Sequence, residues 1–138
     1  MKHQKLTLGL LVFSIICLFS LSACDNLRNN EAAQKKEQDA LLKKVLDLHD
    51  EIMPKMTNLA QAETALEESL KNPAMKSKFA EIEADIKQKV AVDDEMMDWM
   101  ANFKEDFKGM KHEEVMKYLE NEKVKVEALK VKILAELQ

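Results

Sequence analysis

The strongest constraint on this chain is the spacing of its apolar residues. Between Gln38 and Leu137 they recur at every third or fourth position, which places them along one side of an α-helix. The residues between them are mainly Glu, Lys and Ala, which favour helices. The whole chain has only two glycines and two prolines, so helices can end at few points. The pattern therefore predicts an all-α fold built from a few long helices.

The first helix is predicted over residues 38–71. Pro54 lies inside it and removes one backbone hydrogen bond, so we expect a helix that is kinked there but continuous. Asn72-Pro73 then forms a start signal, because an Asn side chain caps a helix and proline suits the first helical position. A second helix is predicted to begin at this pair.

The second helix is predicted to end at Lys108, with Gly109 as its C-cap. The acidic pair at 93–94 could instead cap a separate helix, although the apolar spacing keeps its phase across the pair. The third helix is predicted over 112–137, and the acidic residues that follow His112 suit the positive N-terminal end of a helix.

The same spacing predicts which face of each helix points inward. The expected inner residues are Leu41, Val45, Leu48, Ile52, Met56, Leu59, Glu63, Leu66 and Leu70 on the first helix; Met75, Phe79, Ile82, Ile86, Val90, Asp93, Met97, Met100, Phe103 and Phe107 on the second; and His112, Val115, Leu119, Glu122, Val126, Leu129, Ile133 and Leu137 on the third. Short connections make neighbouring helices antiparallel. The predicted architecture is an up-down-up antiparallel three-helix bundle that resembles a coiled coil.

The N-terminal segment has a different character. Residues 1–5 include two lysines, residues 6–20 are almost wholly apolar, and residues 21–24 read Leu-Ser-Ala-Cys. An aliphatic residue and two small residues before a cysteine resemble the lipobox of bacterial lipoproteins, whose cysteine receives a diacylglycerol before cleavage. The resemblance implies a cleaved signal peptide over 1–23 and lipidation of Cys24. An uncleaved membrane-spanning helix is the alternative.

Residues 24–37 have no apolar stripe and are predicted to form a flexible tether between the lipid and a helical bundle domain over 38–138. Each buried methylene of an acyl chain contributes about 0.8 kcal/mol, so the predicted partner of Cys24 is a membrane. Asp25 resembles the inner-membrane retention signal of enterobacteria, a rule that does not hold in all Gram-negative groups. The choice between inner and outer membrane therefore stays open.

Several function classes are disfavoured. The net charge is −4 and basic residues are interleaved with acids, so nucleic acid is not expected as a partner. Cys17 would leave with the signal peptide and Cys24 would carry lipid, which leaves no disulfide and no free thiol. The sequence has no glycine-rich phosphate loop and no Ser-His-Asp set placed on turns. We therefore predict a protein that is not an enzyme and has no organic cofactor.

One layer of the predicted bundle combines polar and sulfur-containing side chains. If the chain reverses its direction near residues 73 and 109, five of these side chains lie at the same level along the bundle axis: His49, Met53, Asp93, Met97 and Glu122. In one interpretation the acids lie at the edge of the core and pair with histidine or lysine, while methionine fills space. In another, the layer binds a metal: copper(I) through thioether and imidazole, or zinc or another divalent ion through imidazole and carboxylate. In a third interpretation, the methionines form a surface that binds a protein partner.

Two further side chains are candidates for contact or binding. Trp99 lies beside the predicted inner stripe of the second helix, where it either covers the edge of the bundle or is an exposed anchor for a partner. His112, which has Met110 and Met116 nearby, is better explained as a residue at a helix start than as a second metal site.

Three segments resemble a group of known proteins. They are HDEIMPKM at 49–56, MMDWM at 96–100 and HEEVMKYL at 112–119, and they are similar to small helical lipoproteins of Bacteroidota that are often labelled "viral A-type inclusion protein". The resemblance implies a Gram-negative envelope but carries no activity. The sequence as a whole predicts a lipid-anchored envelope protein that binds another envelope protein or a second copy, with a metal-binding lipoprotein as the alternative.

Overall fold

The computed structural model describes the backbone of residues 2–138 and the side chains of residues 30–138. Its elements are α1 (Lys2–Leu70), a 3-10 helix (Pro73–Lys78), α2 (Phe79–Asn102) and α3 (His112–Ala135). The chain divides into two compact units, Met1–Glu37 and Gln38–Gln138. The predicted signal peptide and the lipidation of Cys24 lie outside the residues whose side chains are described.

The described residues form a bundle of α-helices without strands, which confirms the predicted all-α fold. As expected, α1 is continuous through Pro54 and α2 is continuous through the acidic pair at 93–94. The start signal at Asn72 is also present, because its side chain accepts a hydrogen bond of 3.0 Å from the Ala74 N–H. The first turns after it are 3-10 rather than α-helical.

Residues 30–37 differ from the prediction of a flexible tether. They are helical within α1, and their side chains are mostly exposed. The composition accounts for the difference, since Glu, Ala, Gln and Lys all favour helices even without an apolar stripe.

The second helix is shorter than predicted, because α2 ends at Asn102 and not at Lys108. The chain that follows is held by Tyr118 of α3, whose hydroxyl oxygen accepts a hydrogen bond of 2.7 Å from the Lys104 N–H. The rings of Phe103 and Phe107 lie 6.2 and 5.9 Å from the Tyr118 ring. These contacts make residues 103–111 an ordered connection, which we call the aromatic connection.

Gly109 is therefore not the C-cap of α2. It lies in the aromatic connection with φ of +83°, a left-handed conformation that glycine adopts without steric cost. The Met110 N–H donates to the Phe107 carbonyl at 3.0 Å, which closes a tight turn shortly before α3 begins.

The core is a single cluster in which all three α-helices take part. Its buried members are Leu41, Val45, Ile52, Met56, Leu59, Val92, Met96, Trp99, Val115, Leu119, Val126, Leu129 and Ile133. Those on α1 and α3 belong to the predicted inner stripes. Full burial of one such side chain contributes about 1.5–3 kcal/mol, so this cluster is the main source of stability in Gln38–Gln138.

On α2 the predicted inner stripe is one residue out of phase after Ile86, although its last members Met100, Phe103 and Phe107 are partly buried against the core. The buried positions are 89, 92, 96 and 99. Each lies one residue before a predicted position, namely 90, 93, 97 and 100. The buried stripe includes Lys89, whose ammonium contacts Asp85 at 2.9 Å and donates to the Glu136 carbonyl at 2.6 Å. A cation at the C-terminal end of α3 is favourable there, and it allows the lysine to be buried.

Among the helices of the part of the chain whose side chains are described, none has a run long and apolar enough to cross a membrane.

Candidate functional site

The imidazole of His49 lies between α1 and α2 and contacts a methionine sulfur. Its Nε2 is 3.1 Å from Sδ of Met100, and its Nδ1 is 3.1 Å from a carboxylate oxygen of Asp50. The ring centroid is 5.7 Å from that of Trp99. Four fifths of the His49 side chain is buried, whereas Asp50 is exposed. We call His49 and Met100, with Met53 one turn after His49, the His-Met cluster.

The predicted layer of five residues does not come together as one group. Met97 is 55% exposed and outside the core, and the sulfur facing His49 belongs to Met100, one turn further along α2. Met53 is partly buried and packs against the core. The physical reason is the rotation of α2 about its own axis, which points Met96 into the core and Met97 towards solvent.

Asp93 is partly buried and belongs to a local group of acids. Burial raises the pKa of the Glu63 carboxyl above its ordinary value, and the negative charges of Asp93 and Glu67 raise it further. Lys89 acts in the opposite direction. Asp93 therefore acts on a carboxylate of α1.

Glu122 of α3 is buried and faces Trp99 of α2. One carboxylate oxygen accepts a hydrogen bond of 2.8 Å from the Trp99 indole Nε1, and the other accepts one of 2.7 Å from Lys125 Nζ. Both oxygens thus have a donor, which is what a buried carboxylate requires. The expectation that Glu122 pairs with a lysine agrees with this contact, whereas pairing with His49 is not observed.

Trp99 is 8% exposed, so it is a core residue and not an exposed anchor for a partner. Its ring stacks on Phe103 with centroids 4.9 Å apart. The sequence suggested an edge position because Trp99 lies beside the predicted inner stripe, and the indole N–H of a buried tryptophan also needs a partner. Glu122 supplies that partner, which permits deeper burial.

A groove of about 510 Å³ runs between α2 and α3 over this contact. Its walls carry acids on one side and lysines on the other, and Lys132 contacts Glu95 across it at 2.8 Å. The residues that line the groove are Glu95, Asp98, Trp99, Asn102, Glu122, Lys125, Ala128, Leu129 and Lys132.

The face of α3 that points away from the bundle carries apolar residues at helical spacing. Val124 and Val131 are 60% and 68% exposed, and Ala128 and Ala135 between and after them are also exposed. With Asn121 at its beginning, we call this set the outer stripe of α3. The outer stripe was not among the predicted features because the inner stripe of α3 is longer and richer in large apolar residues, although the spacing of four and three residues is present in the sequence.

His112 lies at the start of α3, as predicted. Its Nδ1 is 3.2 Å from the Gln38 side-chain nitrogen, which joins the beginning of the bundle domain to the beginning of α3. Within residues 30–138, no group of three or more His, Cys, Asp or Glu side chains is placed to hold a metal ion.

Searches of protein families, of curated proteins and of solved structures find no match for this chain.

Proposed function

We propose that this chain is a lipid-anchored protein of the bacterial cell envelope that acts by binding, and that the outer stripe of α3 pairs with the same stripe of a second copy. The anchor is proposed from the sequence Leu-Ser-Ala-Cys at 21–24 after an apolar run. The observation that carries the binding role is the exposure of Val124 and Val131 on one face of α3.

The outer stripe has the pattern of a two-stranded coiled coil. Val124 and Val131 are seven residues apart, and Asn121, Ala128 and Ala135 occupy the alternating positions. In heptad terms the valines are at d and the other three residues are at a. A single buried asparagine at an a position is a known device for fixing register and the two-stranded state.

The charges beside the stripe favour parallel helices. Glu120 and Glu127 flank it on one side at g positions, and Lys125 and Lys132 flank it on the other at e positions. In a parallel pair, each glutamate faces a lysine of the second copy. An antiparallel pair would place glutamates opposite glutamates and lysines opposite lysines, which is unfavourable.

Lys125 and Lys132 can form these contacts in addition to the ion pairs that they already make. Lys125 already contacts Glu122, and Lys132 contacts Glu95. Each ammonium carries three donors, and both side chains are at least half exposed. An exposed ion pair contributes about 0.2–1 kcal/mol, so these charges set orientation more than affinity.

A seam of valine and alanine over 121–135 is short, about 21 Å at the rise of an α-helix. We therefore expect a weak interface below the standard size of about 1,200–2,000 Å². Anchoring at Cys24 would compensate, because two copies confined to one membrane have a high effective concentration. It would also give both copies the same orientation, as a parallel pair requires.

The test is disulfide trapping of the full chain expressed in a bacterium. If processing removes Cys17 and lipidates Cys24, a cysteine introduced by Val131→Cys is the only free thiol. We expect mild oxidation of membranes to give disulfide-linked dimers, because d positions of parallel helices face one another. The matched control is Val90→Cys on α2, which is exposed but outside the stripe and should remain monomeric.

Charge reversal sharpens this test. Lys125→Glu with Lys132→Glu should reduce trapping, and adding Glu120→Lys with Glu127→Lys should restore it. Equal trapping at Val131 and Val90 would contradict the proposed interface. The anchor is tested separately by the intact mass of the membrane-extracted protein: an uncleaved N-terminus without a lipid adduct would refute lipoprotein processing, whatever the trapping result.

A further inference from the structure

The contact between His49 and Met100 brings together two atoms that both carry lone pairs. A carboxylate can only accept hydrogen bonds, so the contact between Nδ1 and Asp50 at 3.1 Å assigns the ring proton to Nδ1. In a neutral imidazole the Nε2 is then an acceptor. The thioether sulfur is also an acceptor. Two arrangements are compatible with a distance of 3.1 Å between Nε2 and Sδ of Met100: a proton on Nε2 that is donated to the sulfur, or a metal ion that both atoms bind.

We propose that the His-Met cluster is a binding site for copper(I), with Nε2 of His49 and the sulfur atoms of Met100 and Met53 as ligands. Imidazole and thioether are the ligand types that select copper(I). The site does not depend on the lipid anchor or on pairing of the outer stripe.

The second ligand sphere is already present. Histidines that bind metals usually donate their other ring N–H to a carboxylate or carbonyl, which fixes the orientation of the ring. Asp50 occupies this position next to Nδ1. The exposed Asp50 carboxylate also adds a negative charge near the site, which favours a bound cation.

In this proposal Met53 supplies the third ligand. It follows His49 by four residues on α1, and side chains with this spacing lie next to each other on a helix. Met53 and Met100 are both partly buried against the same core cluster. Their position at the boundary between core and solvent gives an ion a route in while shielding it from water.

The spacing of the ligands suits a small ion after a modest adjustment. First-row metals bind nitrogen at roughly 2.0 Å and sulfur at roughly 2.3 Å. Trigonal ligation with these lengths separates the nitrogen and sulfur by roughly 3.7 Å, slightly more than the 3.1 Å observed. Methionine has three rotatable side-chain bonds, so its sulfur can move by this amount without a change of the helices.

The chain contains its own reporter for metal binding. Trp99 is the only tryptophan, and its ring lies 5.7 Å from that of His49. An ion held at Nε2 would be close to the indole, so its arrival should change the Trp99 fluorescence.

The experiment uses the full chain in detergent with Cys17→Ser and Cys24→Ser, because thiolates would compete for a soft metal. Silver(I), which has the ligand preferences of copper(I) without its oxidation chemistry, is titrated in chloride-free buffer at pH 7.5. We expect the fluorescence of Trp99 to saturate at one silver ion per chain, with the same stoichiometry in native mass spectrometry. Zinc should give no response.

Two variants locate the site and one serves as a control. His49→Ala and Met100→Leu should each weaken silver binding by about tenfold or more, as expected for the loss of a ligand. Met100→Leu conserves volume, and circular dichroism checks that both variants are folded. His112→Ala, which alters the other histidine with methionines nearby in sequence, should bind silver with unchanged affinity.

The proposal is overturned if silver causes no saturable response, which would mean that only a proton occupies the contact. It is also overturned if folded His49→Ala and Met100→Leu bind silver as well as the unmodified chain. If the silver result is as expected, an anaerobic competition with a chromophoric copper(I) chelator should show transfer of copper to the protein and the same loss in both variants.

Discussion

The buried contact between Glu122 and Trp99 allows the most exact prediction for stability. A hydrogen bond to a charged group contributes about 1.5–3 kcal/mol, and a neutral one about 0.5–1.5 kcal/mol. Glu122→Gln keeps an acceptor for the indole N–H and should cost about 1 kcal/mol. Glu122→Leu leaves the N–H at Nε1 of Trp99 without its acceptor and should cost about 2–3 kcal/mol.

The free energy of unfolding is measured by urea titration followed by circular dichroism, with Trp99→Phe and the double variant completing a thermodynamic cycle. Because the Phe side chain has no N–H, Glu122→Leu should cost much less in the Trp99→Phe background. For a domain of this size, about 1 kcal/mol corresponds to a change in Tm of about 4–8 °C, so Glu122→Leu should be evident in a thermal scan as well.

Glu120→Leu is the matched control, since Glu120 is on the same helix but exposed, and its effect should stay within about 0.5 kcal/mol. Our account of the contact fails if Gln and Leu at position 122 cost the same. It also fails if the coupling energy with Trp99 is below about 0.5 kcal/mol, the usual limit of additivity for independent sites.

Four further substitutions test which side of α2 points inward, the acidic group around Glu63 and the proline in α1. Met96→Ala should lower the free energy of unfolding by about 2–5 kcal/mol, while Met97→Ala should change it by no more than about 0.5 kcal/mol. If urea unfolding gives the opposite order, Met97 and not Met96 points into the core. Burial and Asp93 raise the pKa of Glu63, so the native state holds this proton more tightly and stability falls as pH rises through the raised pKa. Glu63→Gln should therefore raise Tm at pH 7, and this gain should disappear near pH 4. An equal gain at both pH values would show that the ionisation of Glu63 is not the cause. Pro54→Ala restores a donor inside α1 and should raise Tm, because proline in a helix interior costs about 3 kcal/mol; a lower Tm would indicate that the chain has adapted to the proline.

The sequence predicted the inner faces of α1 and α3 well because the inner stripe is the longest run of apolar residues at helical spacing on each helix. Helix α2 has two candidate stripes after Ile86, one residue apart. The correct one contains Lys89 and Trp99, whose polar atoms argue against burial when a helix is considered alone. Their partners are Glu136, which caps the C-terminal end of α3, and Glu122 within α3, so only tertiary structure identifies the buried stripe.

The candidate site was predicted less accurately than the fold for a geometric reason. In an antiparallel pair, moving the point of chain reversal by one residue moves the facing residue by two. The prediction placed the reversal at residue 73, whereas the contact of His49 with Met100 places it slightly later. The prediction placed Met97 beside His49, whereas Met97 is exposed and the methionine that contacts His49 is Met100, one turn further along α2.

The aromatic connection has a consequence for how the bundle domain opens. The connection is held by Tyr118 and lies at the end where Gln38 contacts His112. At the other end, the 3-10 helix Pro73–Lys78 contains no buried residue. Amide protons that depend on local opening should therefore exchange with solvent first around residues 71–78, while the Lys104 amide should exchange slowly despite lying outside any helix. The bundle domain should thus loosen from the end remote from Gln38, so that the end at which the chain enters it stays folded longest.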